Sequence, residues 1–222
     1  MGLFKRNPFG HILFLKTWLI RIAGIITHRR YRSFNELHIE GSEIIRSLPD
    51  TNVLFISNHQ TYFADVVAMF HVFNASLKGR ENNIKNVLYL WNPKLNLYYV
   101  AAKETMQEGL LPRILAYAGA ITVERTWRAK GKDVTEKKEV NPNDTENIKI
   151  ALEDGWVITF PQGTTRSFKP VRKGTAHIIL QHKPIVVPIV IDGFRRSFDR
   201  KGLRIKKKGI LQSFVIKEPL KI

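Results

Sequence analysis

The sequence contains no cysteine among its 222 residues. This absence excludes disulfide bonds, thiolate zinc sites, iron–sulfur clusters and a cysteine nucleophile. Acidic residues are also few, because 19 Asp and Glu stand against 36 Lys and Arg, and the formal net charge is +17. A charge of this size predicts an anionic partner, such as a nucleic acid, a membrane surface or an acidic substrate. With 44% hydrophobic residues the chain can bury a core, and its length fits one domain of ordinary size.

Positive charge is concentrated between residues 166 and 208, where 13 Lys and Arg are opposed only by Asp192 and Asp199. Either a solvated basic face or a surface that attracts anions accounts for this segment. Nucleic-acid modules normally combine such charge with a recognisable docking motif, and the sequence has no ribonucleoprotein-type aromatic motif, zinc finger or basic leucine zipper. We therefore expect an anionic membrane surface or an acidic substrate as partner, and no nucleic acid.

The first thirty residues predict a helix that lies in the plane of a membrane. Residues 9–27 form a mostly apolar run that includes Lys16 and Arg21, two cations that would be costly at the centre of a spanning helix. At about 100° per residue, polar and apolar side chains fall on opposite faces of this helix. The polar face holds Lys16, Thr17, Arg21, Gly24 and His28, and the apolar face holds Phe14, Leu15, Trp18, Leu19, Ile22, Ile25 and Ile26.

We therefore expect an amphipathic membrane-interface helix at residues 1–32, followed by a globular domain at residues 33–222. Cations at both ends of the apolar run suit the headgroups of an anionic leaflet. Three alternatives remain: a helix buried in the domain, a spanning helix whose cations snorkel, and a secretory signal. The secretory signal fits worst, because the cations interrupt its apolar region and no cleavage site of small residues follows.

Strand-like and helical segments alternate along the rest of the chain. This alternation predicts an α/β fold, with a mixed, largely parallel central sheet flanked by helices. Residues 127–143 are polar without periodicity and predict a surface loop, and Asp144 is expected to cap the next helix. Pro188 interrupts a predicted strand, which places it at a sheet edge or a bulge. Strands are predicted at residues 52–57, 86–91, 99–101, 120–123, 156–160, 184–191 and 211–216, and helices at residues 66–74, 108–117 and 145–153.

A polar loop at residues 57–65 follows the first apolar strand. His59 comes directly after that strand, and Asp65 lies six positions later. A histidine beside a carboxylate can act as a general base, with the carboxylate fixing its tautomer and orientation. Six residues turn a helix through about 240°, so His59 must precede the helix and Asp65 must lie on it. The alternative is a helix-capping aspartate and an unrelated surface histidine.

A second loop follows the strand at residues 156–160 and reads Phe-Pro-Gln-Gly-Thr-Thr-Arg-Ser from Phe160. Backbone amides after Gly163, the hydroxyls of Thr164 and Thr165, and Arg166 can together hold a phosphate. An ordinary turn after a strand is the alternative. The histidines match no compact zinc-binding spacing, so no metal is expected.

These two loops, in this order, resemble blocks of the glycerophospholipid acyltransferase family, which includes the 1-acylglycerol-3-phosphate acyltransferases. The family's first block is Asn-His, four residues and Asp, and its third is Phe-Pro-Glu-Gly-Thr-Arg-Ser. Residues 119–125 resemble its second block and residues 185–190 its fourth, so the resemblance covers residues 38–200. This chain departs from the pattern in having five residues between His59 and Asp65. It also has Gln162 in place of the glutamate, and Thr165 where the family often has arginine.

The resemblance implies direct acyl transfer to the hydroxyl of a lysophospholipid, with 1-acylglycerol-3-phosphate as the expected acceptor. His59 would be the general base and Asp65 its partner, while acyl-CoA or acyl-carrier protein would be the co-substrate, with no further cofactor. The expected substrate-binding residues are Arg125, Gln162, Gly163, Thr164, Thr165, Arg166 and Lys103. Lacking cysteine and a Gly-x-Ser-x-Gly elbow, the chain is not expected to form an acyl-enzyme.

The same resemblance implies a peripheral or monotopic enzyme on the cytoplasmic face of the cell membrane. Two alternative functions remain open. Gln162 removes a negative charge from the third block, which leaves a lyso-aminolipid or another phosphate-free lipid as a possible acceptor. The basic charge alone is also compatible with a non-catalytic protein that binds membranes.

Overall fold

The computed structural model describes residues 4–124 and 142–221, together with the backbone of residues 128–129 and 132–133. The helices of this described part are α1 (Leu13–Arg32), α2 (Ile44–Ser47), α3 (Ala64–Leu77), α4 (Lys103–Gln107), α5 (Leu110–Ala116), α6 (Pro142–Asp154), α7 (Lys173–His182) and α8 (Phe194–Ser197). The strands are β1 (Glu36–Glu40), β2 (Val53–Ser57), β3 (Leu97–Ala102), β4 (Ala120–Val123), β5 (Arg128–Ala129), β6 (Lys132–Asp133), β7 (Trp156–Thr159), β8 (Ile185–Asp192) and β9 (Leu211–Ile216).

Seven strands form a central sheet in the order β1-β9-β8-β2-β7-β3-β4. Neighbouring strands run parallel except for β8 and β9, which are antiparallel. The central strands are apolar and buried on both faces, as helix-covered parallel strands must be. The predicted α/β fold with a mixed, largely parallel sheet is therefore confirmed.

The core lies on both faces of this sheet. On one face Phe55 of β2 packs against Phe73 of α3, with ring centroids 4.4 Å apart, and against Trp156 of β7. On the other face Leu54 and Val157 belong to a smaller cluster with residues of α6 and α7. Helix α3 is buried along nearly its whole length, so its first turn is held firmly below the carboxyl ends of the strands.

Residues 86–91 do not form the predicted strand. Val87–Leu90 is a 3₁₀ turn that begins after Asn86, whose backbone has a φ of 57° and whose side chain accepts a hydrogen bond from Leu88 N. The run cannot pair with β3, the next strand along the chain, because β3 is already paired on both sides by β4 and β7. Short apolar runs do not distinguish a strand from a buried turn by periodicity alone.

Pro188 lies in an internal strand, so its predicted placement at an edge or bulge is wrong. Strand β8 pairs with β2 on one side, where Pro188 faces Ile56, and with β9 on the other. The carbonyl of Pro188 accepts a hydrogen bond from Lys217 N, just beyond the end of β9. Its nitrogen points to the same side, where the ladder with β9 stops, so the missing N–H breaks no interior pairing.

The segment predicted as a loop at residues 127–143 contains a small antiparallel pair, β5 with β6, and the start of α6. Most of its other residues lie outside the described residues. Helix α6 begins before Asp144, so this residue lies in the first turn instead of capping the helix from outside. The Asp144 carboxylate accepts a hydrogen bond from Glu124 N and thereby ties α6 to the end of β4.

Helix α1 turns its polar face towards the protein. Lys16, Thr17 and Gly24 are buried, with Lys16 fully so. Six of the seven residues predicted for the apolar face are exposed: Phe14, Leu15, Trp18, Ile22, Ile25 and Ile26. None of the described helices is both long enough and apolar enough to cross a membrane. The division of the chain at residue 32 and the membrane location of α1 stay predictions.

Candidate active site

The loops predicted to carry chemistry converge at one edge of the sheet. Strands β2, β3, β7 and β8 run in the same direction, so their carboxyl ends lie together. Functional sites of open α/β sheets form at this edge. Residues 58–63 follow β2, and residues 160–172 follow β7.

His59 and Asp65 contact each other directly. His59 Nδ1 lies 2.9 Å from Asp65 Oδ2, with His59 in the turn before α3 and Asp65 in the first turn of that helix. Asp65 is fully buried and also accepts hydrogen bonds from Gln60 N (2.6 Å), Thr61 N and Thr61 Oγ1 (2.6 Å). A buried carboxylate requires such partners. Asp65 therefore holds the turn and the imidazole at once, and the five-residue spacing does not separate the pair.

Side chains next to His59 fix its backbone to strand β8. Asn58 accepts a hydrogen bond from Ile191 N and donates one to Ile191 O. Gln60 accepts one from Arg195 N and donates one to Asp192 Oδ1, and this second bond lowers the pKa of Asp192 below its usual value. Sequence reasoning missed these anchors, although both flank His59 in the motif.

Phe160 supports the imidazole from its face. The two rings stack with centroids 3.9 Å apart and planes 21° apart. Because Asp65 engages Nδ1, the nitrogen left for a substrate is Nε2. The ring remains 14% exposed at the wall of a cavity, which we call the site cavity.

The site cavity has an empty volume of about 690 Å³, counting its open mouth. It lies between the His59 turn, the end of β3, helix α4 and the loop after β7. Among the described residues, no Lys or Arg side chain lines it. The lining residues are His59, Tyr62, Val66, Tyr99, Val100, Ala101, Ala102, Thr105, Met106, Val123, Thr159, Phe160, Gly163 and Thr164.

The loop after β7 brings two of its predicted residues to His59. Gly163 adopts a φ of 60° and donates to Phe160 O, and with Thr164 it lines the site cavity. Gln162 does not line the cavity, because its side chain donates to Lys169 O within the loop. Thr165 is buried, and Arg166 is exposed to solvent.

Arg195 was not predicted individually and joins the two loops. Its backbone N donates to Gln60 Oε1, and its guanidinium donates to Thr165 O and Ser167 Oγ. One residue of the basic segment thus connects the His59 turn to the loop after β7. The sequence signal was only its place in a run of cations.

Of the two remaining predicted binding residues, only Lys103 belongs to the described part of the chain. Lys103 begins α4 and pairs with Glu124 at 3.1 Å, and both side chains are half-exposed. Lys103 does not line the site cavity. Arg125 lies outside the described residues; Glu124 precedes it, one residue after the end of β4.

A second cavity, which we call the apolar cavity, adjoins the first. It has an empty volume of about 550 Å³ and shares Val66 and Tyr99 with the site cavity. Its remaining lining comes from α1, α3, α5 and the 3₁₀ turn: Leu19, Ile20, Ala23, Gly24, Phe63, Val67, Phe70, His71, Leu90, Leu115 and Ala118. The one titratable ring among them, His71, has both nitrogens occupied by Tyr89 OH and Thr27 Oγ1.

Comparison with known proteins finds similarity in sequence and in fold. A curated 1-acyl-sn-glycerol-3-phosphate acyltransferase of Cocos nucifera is 26% identical over 175 residues, which are 78% of this chain. The chain spans about half the length, 46%, of that relative. The crystal structure of the 1-acyl-sn-glycerophosphate (LPA) acyltransferase PlsC from Thermotoga maritima is also similar, with a TM-score of 0.52 and 18% identity. The match covers 95% of this chain and 69% of the PlsC chain. That likeness shows the shared fold.

A model of one protein family also matches. It is described as Acyltransferase and covers residues 36–192, which is more than half of the chain. The matched segment contains His59, Asp65 and the loop after β7. The chain therefore belongs to the acyltransferase family.

Proposed function

We propose that this protein transfers a fatty acyl group from a thioester donor to the hydroxyl of a lysophospholipid, with 1-acylglycerol-3-phosphate as the acceptor. The observation that carries the proposal is the 2.9 Å contact between His59 Nδ1 and the buried Asp65, at the wall of a cavity large enough for substrate groups. The names of the two relatives support the acceptor, since both are acyltransferases of this lipid.

His59 is the general base of the proposed reaction. Its Nε2 takes the proton of the acceptor hydroxyl, and the oxygen attacks the thioester carbonyl carbon. The tetrahedral intermediate then collapses, the C–S bond breaks, and the thiolate takes the proton back from the imidazolium. Asp65 holds the ring in one orientation and stabilises its charged form. General-base help of this kind is worth about 10²–10⁴-fold.

Thr164 is the proposed stabiliser of the developing oxyanion. Gly163 N already donates to Phe160 O, so that amide is occupied. Thr164 lines the cavity, and its hydroxyl accepts a hydrogen bond from Arg166 N, which leaves its own hydrogen to donate. A donor fixed in a cavity wall stabilises negative charge without reorganising during the reaction.

The acceptor phosphate is proposed to bind Arg125 and Arg166. Arginine offers a phosphate two parallel hydrogen bonds. Gln162 and Thr165 contribute by shaping the loop, since the Gln162 side chain bonds inside it and Thr165 is buried. Lys103 is the weakest of the binding residues, because Glu124 already neutralises it.

The donor is proposed to be acyl-CoA or acyl-carrier protein, and the reaction needs no other cofactor. An acyl chain needs apolar surroundings next to the reacting carbonyl. The apolar cavity provides these surroundings, since its lining is hydrophobic apart from His71, whose two ring nitrogens are both hydrogen-bonded. This cavity also shares two lining residues with the site cavity. Holding both reactants at one place contributes further through proximity.

The protein is proposed to bind the cytoplasmic surface of the cell membrane without crossing it. Apolar side chains are exposed on α1, and others are exposed on α5 and at the 3₁₀ turn, namely Leu110, Leu111, Ile114, Leu88 and Trp91. Arg21 connects α1 to this turn by donating to Trp91 O and lying over its ring. The anionic cytoplasmic leaflet attracts a chain of charge +17.

An acceptor panel tests the proposed chemistry. The purified protein on anionic vesicles receives an acyl thioester and one of several acceptors: lysophosphatidic acid, other lysophospholipids, or phosphate-free lyso-lipids. We expect the highest kcat/KM with lysophosphatidic acid. Transfer to phosphate-free acceptors alone would overturn the acceptor class. Transfer no faster than in protein-free vesicles, with wild type and His59→Ala alike, would instead favour a non-catalytic membrane-binding protein.

Vesicle sedimentation tests the membrane surface. Changing Ile22, Ile25 and Ile26 to serine removes exposed apolar area from α1, and we expect anionic-vesicle affinity to fall about 10²-fold. A matched control changes three apolar residues exposed on other elements, Leu180, Val190 and Leu211. Equal losses in both triple variants would contradict α1 as the membrane-binding element.

A further inference from the structure

The turn at residues 60–64 contains one residue more than the family pattern, yet the His59–Asp65 contact is intact. We propose that a second turn, Asp199–Arg204, positions this pair, and that Gly202 and Thr61 are the positioning residues through which it acts. We call residues 199–204 the brace. The activity measurements below rest on the proposed function, whereas the spectroscopic ones do not.

The brace supports the enlarged turn through its backbone. Tyr62 N donates to Arg200 O at 3.2 Å, and Phe63 N donates to Lys201 O at 3.0 Å. These two amides precede α3 and have no partner within the helix. The brace therefore supplies the acceptors that the turn cannot supply itself.

Gly202 brings the brace into close contact with Thr61 and Ala64, which lie in the turn between His59 and Asp65. It has a φ of +76°, and a Cβ at this position would lie 2.5 Å from Ala64 N and 2.8 Å from Thr61 Oγ1. Separations this short require the neighbours to move, and one of them is a backbone atom. Only glycine lets the brace approach the turn this closely.

Thr61 transmits this contact to the catalytic pair. Its hydroxyl donates to Asp65 Oδ1 at 2.6 Å, and its amide donates to the same carboxylate. A displacement of Thr61 therefore shifts the carboxylate that holds His59 Nδ1. The chain of contacts runs from Gly202 through Thr61 and Asp65 to His59.

The brace is itself well fixed. The Asp199 side chain accepts hydrogen bonds from Leu203 N (2.9 Å) and Arg204 N (3.0 Å), and Gly202 N donates to Asp199 O. Lys201 pairs with Glu108, between α4 and α5, at 3.6 Å. The brace thus fixes the turn from outside.

The first test compares Gly202→Ala with Gly79→Ala. Gly79 has nearly the same φ, +78°, but nothing lies within 4 Å of its would-be Cβ. Both variants carry a similar backbone strain, and Gly202→Ala adds the steric clash, so we expect Gly79→Ala to lower Tm by about 2–4 °C and Gly202→Ala to lower it further. Only Gly202→Ala should lower kcat, by about 10²-fold with KM nearly unchanged. Equal kcat in the two variants would overturn the brace.

The second test compares Thr61→Val with Thr61→Ser and keeps the turn filled. Valine preserves the volume but removes the donor to Asp65, whereas serine preserves the donor. We expect kcat to fall about 10-fold in Thr61→Val and to be restored in Thr61→Ser. This pair decides the proposal even where Gly202→Ala fails to fold, and equal rates for valine and serine would refute the role of Thr61.

The third readout needs no enzymatic activity. With ¹⁵N-labelled histidine, the Nδ1 proton of His59 is identified by its absence in His59→Ala. A proton held against a carboxylate exchanges slowly, so we expect the signal in wild type, Gly79→Ala and Thr61→Ser, and its loss in Gly202→Ala and Thr61→Val. If the signal is present and lost in these variants as expected, but the protein transfers no acyl group, the proposed function is refuted and the role of the brace stands. Retention of the signal in both Gly202→Ala and Thr61→Val would refute the brace alone.

Discussion

Two histidines on either side of the start of α3 differ in what surrounds them. His59 lies in the turn before the helix, is partly exposed, and contacts the Asp65 carboxylate. His71 lies within the helix, is fully buried, and contacts two hydroxyls. Burial, with a smaller effect of His28, lowers the pKa of His71 to about 3. A carboxylate partner suits a ring that must gain a proton, whereas hydroxyl partners suit one that stays neutral.

The hydrogen bonds of His71 define a single tautomer. Thr27 Oγ1 donates its hydrogen to Ala23 O, so Thr27 must accept from His71 Nε2–H. His71 Nδ1 then accepts from Tyr89 OH. The neutral ring thereby connects α1, α3 and the 3₁₀ turn, and its role is structural.

Of the two histidines, His59 is expected to give the larger loss of activity when it is substituted. We expect His59→Ala to lower kcat by up to about 10⁴-fold, because the general base is lost. Circular dichroism and Tm should remain near those of wild type, since the ring is partly exposed and Asp65 keeps its hydrogen bonds from Gln60 and Thr61. Steady-state kinetics on lipid vesicles measures the effect. A loss of less than about 10-fold would contradict the assignment of His59 as the base.

Asp65→Asn tests the partner that distinguishes His59 from His71. Asparagine directs an NH₂ group at hydrogen-bond donors, so the turn loses acceptors and His59 loses its orientation. We expect kcat to fall by about 10²-fold or more, together with a lower Tm. Calorimetry beside the kinetic assay separates the two effects, and unchanged kinetics would remove Asp65 from the mechanism.

His71→Leu tests the structural histidine. It leaves Tyr89 OH without its acceptor and takes one donor from Thr27 Oγ1, which keeps its bond to Ala23 O. A buried polar group left unsatisfied costs about 1–3 kcal/mol. We expect a large loss in urea-unfolding free energy and less than about 10-fold loss in kcat. A loss in kcat as large as that of His59→Ala, at full stability, would assign chemistry to His71.

The pH dependence of stability should also originate at His71. The pKa of His71 is about 3 in the folded protein and 6.5 in the reference state, so between these values the unfolded chain binds more protons. Stability is therefore full above about pH 6.5 and falls as the pH decreases towards 3. Urea titrations across this range should show a shallower decrease in His71→Leu. If the unfolding free energies of wild type and His71→Leu decrease equally as the pH falls, the claim that His71 stays neutral in the folded protein is contradicted.

Lys16 extends the comparison to a buried cation, where Asp154 offsets only part of the effect of burial. Burial lowers its pKa to about 7 from 10.5, and its nearest partners are Leu97 O at 3.5 Å and the ring of Tyr98. The unfolded chain binds more protons between these pH values, so stability should rise from about pH 7 to 10.5. Lys16→Met should flatten this rise and add about 1 kcal/mol at pH 7. If thermal melts of Lys16→Met show the same dependence of Tm on pH as wild type, Lys16 is not the cause of the rise in stability.

Much of the fold follows from local sequence pattern. The apolar runs at β2, β7 and β9 and the helix after His59 are found where periodicity predicts them. The apolar run at residues 86–91 was misassigned because strand pairing depends on the whole sheet, and β3, the next strand along the chain, is already paired on both sides. Pro188 was misassigned for the same reason, since the end of β9 decides whether its missing N–H matters.

The site was predictable where its residues are close in sequence. His59 and Asp65 are six positions apart, and one turn brings them together. Arg195 and Gly202 act from more than 130 positions away, through a backbone amide that donates to Gln60 and a close backbone approach to Thr61, and no local pattern encodes such distances. The Phe160 ring was part of a recognised block, but its stacking on His59 depends on β2 and β7 being neighbours.

The exposed apolar face of α1 has a thermodynamic consequence. Phe14, Leu15, Trp18, Ile22, Ile25 and Ile26 expose between 42% and 62% of their surface to whatever medium surrounds the protein. In plain buffer this hydrocarbon is hydrated, while lipid or surfactant that adsorbs to it binds the native chain. Ligands that bind only the native state raise its melting temperature by mass action. The thermal stability of this protein is therefore a function of amphiphile concentration as well as of sequence.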